Sequence, residues 1–99
     1  MKVYISGKMT GLSKRKIIRK FRLTENKLVK KGFSVLNPAI FYYLKNIDFF
    51  SYADFLQIDY RMIDRCDAIY LQKDWKTSKG ASLELAYAEH KKKIIMYEE

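Results

Sequence analysis

The sequence SKGASLELAYA, residues 78–88, predicts a helix that begins near Ser78 and carries Glu84 on its inner face. Ser78 is a typical N-cap residue, and Gly80 leaves room for a ligand close to the backbone. The first N–H groups of a helix have no partner inside the helix, and the helix dipole adds a partial positive charge. We therefore expect an anion to bind at this helix start, within reach of Glu84.

This helix lies between two predicted strands, and the same alternation of strands and helices extends back through the chain. The pattern predicts strands at 2–6, 33–36, 67–72 and 93–97, and helices at 13–31, 51–65 and 79–91. Such alternation joins parallel strands through right-handed crossovers. We predict an α/β fold, a three-layer sandwich whose small parallel sheet has about four to five strands. The sequence of residues 39–50 does not predict one type of secondary structure. Three interpretations are open for its aromatic side chains: core packing, a lid, or a contact between subunits.

Composition and length fit one domain spanning residues 1–99, because 48% hydrophobic content supports a single compact core. The lone Cys66 excludes an internal disulfide and a zinc site built from cysteines. His90 alone does not make a metal site, so we expect neither a metal nor another cofactor. There is no apolar run of membrane-spanning length, and the strand-like start lacks the features of a signal peptide. We therefore expect a cytoplasmic protein without a membrane partner.

The net charge of +9 is concentrated in the first half of the chain. Residues 1–50 contain 12 Lys and Arg against two acids, whereas residues 51–99 contain eight against nine. Nine of the 12 cations in residues 1–50 fall in the predicted helix at 13–31, namely Lys14, Arg15, Lys16, Arg19, Lys20, Arg22, Lys27, Lys30 and Lys31. A solvated outer face is the simpler interpretation, and a nucleic-acid-binding surface is the alternative.

Three predicted loops meet at the carboxyl ends of the strands, where ligands of such folds bind. They are residues 6–11, the Asn37-Pro38 turn and residues 73–78. The first loop, SGKMTG, has two glycines, two hydroxyls and a lysine, which suits phosphate binding through backbone N–H groups. It lacks the spacing and the final Lys-Ser/Thr of a P-loop, so a plain tight connection is the alternative.

Asp59 falls in the middle of an apolar helical stripe formed by Tyr52, Phe55, Leu56, Met62 and Ile63. An inward carboxylate pairs with a cation such as Arg61 or Arg65, turns to solvent, or serves a cleft. Glu84 poses the same question on its own helix. Two inward acids on neighbouring helices either divide nucleophile and acid/base roles at a glycosidic carbon or form a solvated pair of charges.

Taken together, these motifs resemble the nucleoside 2-deoxyribosyltransferase-like superfamily, and specifically a small branch of unknown function. The resemblance covers nearly the whole chain and rests on VYISG (3–7), MTG (9–11), Asn37-Pro38, Asp59, CDAI (66–69), Trp75, Ser78, Gly80-Ala81 and Glu84. It implies a flavodoxin-like fold, oligomeric assembly and a glutamate nucleophile at the anomeric carbon of a sugar. Glu84 matches that glutamate, and Asp59 matches the supporting carboxylate.

The resemblance also implies a set of substrate-binding residues. These are Tyr4, Ser6, Gly7, Lys8, Met9, Gly11, Asn37, Ser78 and Gly80. Ser78 matches the position that binds the 5′-phosphate in deoxynucleoside monophosphate N-glycosidases, whereas the nucleoside transferases carry an aspartate there. Tyr4 and Gly7 match positions that line the sugar pocket.

The expected function is therefore cleavage or transfer of the N-glycosidic bond of a (deoxy)nucleoside 5′-monophosphate. The expected partners are a small-molecule nucleotide or nucleoside and further copies of the chain, as a homodimer or higher oligomer. One alternative is a non-catalytic nucleotide-binding sensor or sequestering protein. A second alternative is a basic nucleic-acid-binding domain, with nucleic acid as a less favoured partner.

Overall fold

The computed structural model describes residues 1–99 as four parallel strands flanked by three α-helices. The strands are β1 (Lys2–Ser6), β2 (Ser34–Leu36), β3 (Ala68–Leu71) and β4 (Ile94–Tyr97). The helices are α1 (Lys14–Lys30), α2 (Tyr52–Asp64) and α3 (Lys79–His90). The ambiguous segment forms two short 3₁₀ helices, Pro38–Tyr43 and Ile47–Phe49, and a third spans Trp75–Thr77. Every predicted strand and α-helix is therefore present, with slightly different ends.

The sheet has the strand order β2-β1-β3-β4, and all three strand pairs are parallel. Ser6 pairs with Leu71 in register, so β1 and β3 end at the same edge of the sheet. The chain leaves β1 toward β2 on one side and returns to β3 on the other, which places the switch in direction between β1 and β3. This topology confirms the predicted flavodoxin-like, three-layer α/β fold and gives the sheet four strands.

Side chains alternate across the sheet and form one apolar cluster on each face. On one face, Ile17, Phe21 and Leu28 of α1 pack against Val3 and Ile5. On the other face, α2 and α3 cover the sheet with a second cluster, which contains Tyr4, Ile63, Cys66, Ile69, Leu71, Leu85 and Ala88. Burial raises the pKa of the Cys66 thiol, which keeps it in its unreactive protonated form.

Local sequence signals explain where the helices begin and end. Ser13 caps α1 by accepting a hydrogen bond from the Lys16 N–H group. Ser51 and Asp54 form a reciprocal capping box at the start of α2. Gly32 follows α1 with a φ of 94°, a left-handed conformation that suits glycine after a helix. None of the helices combines the length and the apolar character needed to cross a membrane.

Candidate functional site

A cavity of about 120 Å³ lies beyond the carboxyl end of β1, beside the point where the topology changes direction. Its walls come from the loop after β1, the first 3₁₀ helix, α2 and the start of α3. The polar lining residues are Ser6, Thr10, Asp59, Ser78 and Glu84, and the aromatic ones are Phe21, Phe41, Tyr42, Tyr52 and Phe55. The cavity therefore combines a few convergent polar groups with an aromatic wall, as ligand sites commonly do.

Glu84 of α3 lies on the cavity wall with only 7% of its surface exposed. Its carboxylate accepts hydrogen bonds from Ser6 Oγ at 2.7 Å and from the Tyr4 hydroxyl at 3.2 Å. Ser6 and Tyr4 are two residues apart on β1, so both side chains point toward α3. Neither donor is a cation, and Glu84 forms no salt bridge. The site thus orients a buried carboxyl group without pairing it with a cation.

Asp59 of α2 lines the same cavity and is electrostatically linked to Glu84. Burial raises the pKa of Glu84 well above its ordinary value, and the nearby Asp59 carboxylate raises it further. Burial also raises the pKa of Asp59, although hydrogen bonding with Glu84 and Tyr4 opposes that shift. Ionising both groups in one buried place is unfavourable, so the loss of a proton from one carboxyl opposes its loss from the other.

The alternative in which Asp59 forms an ion pair with Arg61 or Arg65 does not occur. Arg61 instead pairs with Asp64 at 3.4 Å, and Arg65 forms no salt bridge. Because helical positions two apart lie on different faces, Arg61 points to solvent while Asp59 points inward. Of the interpretations offered by the sequence for Asp59, the cleft is the one that the structure matches.

Two tyrosines stay neutral donors next to the carboxyl pair. Burial raises the pKa of Tyr4 well above its ordinary value, and the charges of Glu84 and Asp59 add to this. Burial and the Asp59 charge likewise raise the pKa of Tyr42, in the first 3₁₀ helix. Both hydroxyls therefore remain protonated and able to donate hydrogen bonds around the site.

The N-terminus of α3 supplies the electropositive end of the cavity. Ser78 Oγ accepts a hydrogen bond from the Ala81 N–H group at 3.1 Å, and the first helical bond runs from the Ser82 N–H group to the Ser78 carbonyl. The N–H groups of Lys79 and Gly80 precede that bond and have no partner within the helix. A Cβ atom on residue 80 would lie 3.2 Å from the Tyr52 hydroxyl, so glycine keeps this end open. An anion fits here.

The loop after β1 is held from beneath by contacts that the sequence did not predict. A Cβ atom on residue 7 would lie 2.0 Å from Gln72 Oε1, so only glycine fits above the buried Gln72 side chain. Asp74 accepts a hydrogen bond from the Lys8 N–H group at 3.1 Å and forms a salt bridge with Lys20 at 3.0 Å. Lys20 also donates to the Lys8 carbonyl at 2.7 Å. We call Lys20 and Asp74 the loop-anchoring pair; no local pattern links residues so distant in sequence.

The structure brings most of the predicted site residues together. Ser6, Gly7, Met9, Asp59, Ser78, Gly80 and Glu84 line the cavity, and Tyr4 lies behind Glu84. Besides Tyr4, three predicted residues do not line it, for different reasons. Lys8 is held by the loop-anchoring pair, and Gly11 is an exposed turn residue with a φ of 85°. Asn37 caps the first 3₁₀ helix and donates to Glu25 instead.

Aromatic residues are the part of the site that sequence reasoning did not assign. Tyr42, Tyr52 and Phe55 line the cavity, although the aromatic run at 39–50 had indicated a lid as one option. Trp75, by contrast, packs against Tyr97 with the ring centroids 5.9 Å apart, at the end of the sheet.

No group of three or more His, Cys, Asp or Glu side chains lies together in a position to hold a metal ion.

This geometry defines a flavodoxin-like α/β protein with a cleft at the carboxyl edge of its sheet. The chain belongs to the family described as Domain of unknown function (DUF4406), whose model matches residues 1–97. No curated protein matches it.

Among solved structures, the chain is similar to a 2-desoxiribosyltransferase from Leishmania mexicana, with a TM-score of 0.70 and 20% sequence identity. The match covers 97% of this chain and 62% of that protein, so this chain spans less than two thirds of the other's length. The similarity confirms the predicted resemblance at the level of the fold.

Proposed function

We propose that this protein cleaves the N-glycosidic bond of a (deoxy)nucleoside 5′-monophosphate, with Glu84 as the nucleophile. The observation that carries the proposal is a buried carboxylate facing a cavity, oriented by Ser6 and Tyr4 and lacking any cation partner. Such a group is suited to stabilise positive charge that develops on a ligand. The structural similarity to a 2-desoxiribosyltransferase supports a nucleoside as the core of that ligand.

In the proposed reaction, a Glu84 oxygen attacks C1′ of the sugar while the bond from C1′ to the base nitrogen breaks. The base leaves with the bonding electron pair and takes up a proton. Water then attacks C1′ of the glycosyl ester and gives up a proton to the Asp59 carboxylate, which releases the sugar phosphate and restores both the Glu84 carboxylate and the protonated Asp59. The transition state resembles an oxocarbenium ion, and a buried carboxylate at C1′ stabilises it strongly.

In this proposal the Glu84 and Asp59 carboxyls hold one proton between them, and that proton goes to the leaving base. Positive charge developing at C1′ favours the ionised form of Glu84, so the proton moves toward Asp59. Asp59 then acts as the acid and donates to the departing base. The raised pKa values of both groups support this role, because the acid must remain protonated near neutral pH.

The proposed position of the 5′-phosphate is the start of α3. The unpaired N–H groups of Lys79 and Gly80 and the Ser78 hydroxyl form one wall there, and the loop at 6–11 forms the other. A cavity of about 120 Å³ encloses a sugar but not a whole nucleotide, since pockets for larger ligands start near ~300 Å³. We place the phosphate at one opening and the base against Phe41, Tyr42 and Phe55.

A comparison of wild type with Glu84→Gln tests this function directly. Each protein is incubated with a panel of ribo- and deoxyribonucleosides and their 5′-monophosphates, and free base is measured by chromatography. We expect base release from a monophosphate by wild type and a loss on the order of 10³-fold or more in Glu84→Gln. Glu89→Gln, an exposed site on the same helix, is the matched control and should behave as wild type.

Two results would contradict the proposal. Unchanged base release by Glu84→Gln would rule out Glu84 as the nucleophile. Tight nucleotide binding by wild type without any base release would instead support a non-catalytic nucleotide-binding protein. Adding a second free base to the reaction separates hydrolysis from transfer, since only transfer produces a new nucleotide.

A further inference from the structure

The outward side of α1 is a dense cationic surface that the cavity does not use. We define it as the α1 outer face, formed by Arg15, Lys16, Arg19, Arg22 and Lys30, all of them exposed. These residues lie opposite the buried Ile17, Phe21 and Leu28, which pack on the sheet. The three arginines follow the i, i+4, i+7 spacing and lie along one ridge of the helix.

No acidic side chain neutralises the α1 outer face. The two salt bridges of the protein are Lys20 with Asp74 and Arg61 with Asp64, so neither involves this face. Glu25 is the only acid in α1, and it accepts a hydrogen bond from Asn37. Arg22 donates to the Tyr43 hydroxyl, which is neutral. The positive charge is therefore available to an external anion.

The chemistry of this face distinguishes between possible partners. Insertion into a lipid surface requires an apolar helix face, and the apolar face of α1 is already buried against the sheet, so an anionic lipid surface could attract α1 by charge alone. A protein interface usually has an apolar, aromatic centre, whereas the large apolar side chains exposed on α1 are only Leu23 and Val29. Nucleic acid is complementary to this face in charge, because it presents a regular row of phosphates with one negative charge per ~1.7 Å of duplex axis.

We propose that the α1 outer face binds the sugar–phosphate backbone of nucleic acid. The 17 residues of α1 extend over about 25 Å, so several phosphates lie within reach of the five cations. Each arginine guanidinium forms two parallel hydrogen bonds with a phosphate. The contacts involve no base edge, so binding is independent of base sequence and strongly dependent on salt.

The test measures binding of a labelled duplex of about 20 base pairs by fluorescence anisotropy, between about 50 and 200 mM salt. The test variant carries Arg15→Gln, Arg19→Gln and Arg22→Gln. We expect its affinity for the duplex to fall at least about tenfold. We also expect the negative slope of log K against log salt to become shallower, with its magnitude smaller by about 3. Base release from nucleotides should be unchanged, because none of the three residues lines the cavity.

The control variant carries Lys2→Gln, Lys76→Gln and Lys91→Gln, which removes the same charge from other exposed surfaces. It should lose much less affinity than the arginine variant. Arg19→Gln alone gives a second test with minimal risk to folding. It should reduce the magnitude of the slope of log K against log salt by about 1.

Three outcomes would overturn the proposal. The first is equal weakening by both triple variants, which would indicate an effect of net charge alone. The second is an absence of duplex binding by wild type at the lowest salt. The third is binding to phosphatidylcholine vesicles containing phosphatidylserine with no binding to the duplex.

Discussion

The α1 outer face and the cavity carry opposite charges in opposite surroundings. On α1, exposed cations have no acidic partner. In the cavity, Glu84 and Asp59 have no cationic partner, but Glu84 is buried and Asp59 is partly so. Water solvates the exposed cations, so they stay charged at little cost to folding, whereas burial makes each carboxyl favour its protonated form. An unpaired charge therefore points to chemistry when it is buried and to a charged partner when it is exposed at high density.

Among variants that keep Glu84, the largest expected effect tests whether the two buried carboxyls act as a pair. In Asp59→Asn we expect base release to slow by about 10²-fold, because the proton donor to the base is lost. The rising, acid side of the pH–rate profile should also move to lower pH. The reason is that Glu84 must be ionised to attack, and the Asp59 charge that raises its pKa beyond the effect of burial is gone.

Asp48→Asn, at an exposed site, is the control for Asp59→Asn and should leave rate and profile unchanged. An Asp59→Asn enzyme whose acid limb stays in place would show that the two carboxyls titrate independently.

A second prediction concerns stability rather than activity. The pKa of Glu84 is raised in the folded state above its ordinary value of 4.5, so the folded protein holds this proton more tightly than the unfolded chain. The favourable contribution of this proton to the free energy of unfolding is complete below pH 4.5 and is lost as pH rises through the pKa of Glu84 in the folded protein. Glu84→Gln does not titrate, and its amide can accept from Ser6 and donate to Tyr4.

We therefore expect the melting temperature of Glu84→Gln to exceed that of wild type by several degrees at pH 8 and to match it near pH 4. Thermal unfolding followed by circular dichroism across that range measures the difference. The linked titration of Asp59 is part of the measured difference, whereas the remaining titrating groups are common to both proteins and cancel. A difference that does not change with pH would mean that burial of Glu84 imposes no charge penalty.

The smallest expected effect concerns the loop-anchoring pair, whose solvent exposure is intermediate between that of the α1 outer face and that of the cavity carboxyls. Burial lowers the pKa of Lys20, and the interaction with Asp74 opposes that shift. The side chains are 25% and 34% exposed, so solvent screens their attraction. A double-mutant cycle with Lys20→Met and Asp74→Asn should give a coupling free energy of about 0.5 to 1 kcal/mol in urea unfolding. A coupling near zero would show that the pair contributes nothing to loop stability.

Much of the candidate site could be predicted because it follows from local patterns. Glu84 and Asp59 each interrupt an apolar helical stripe, and that interruption is visible in a single segment. Ser78 and Gly80 carry the usual signals of a helix start. Asn37 is predicted to bind substrate, but it does not line the cavity and instead caps a 3₁₀ helix, a role for which a residue before proline is equally suited.

The sequence by itself determined the order and type of the elements, the parallel sheet and the inward placement of two acids. These depend on periodicity, caps and glycines, which act over a few residues. Only the tertiary structure decided that Tyr4 and Ser6 orient Glu84, that Gln72 lies under Gly7, and that Lys20 and Asp74 hold the loop. Those contacts join segments distant in sequence, and they depend on which faces pack together and how closely, which no local pattern specifies.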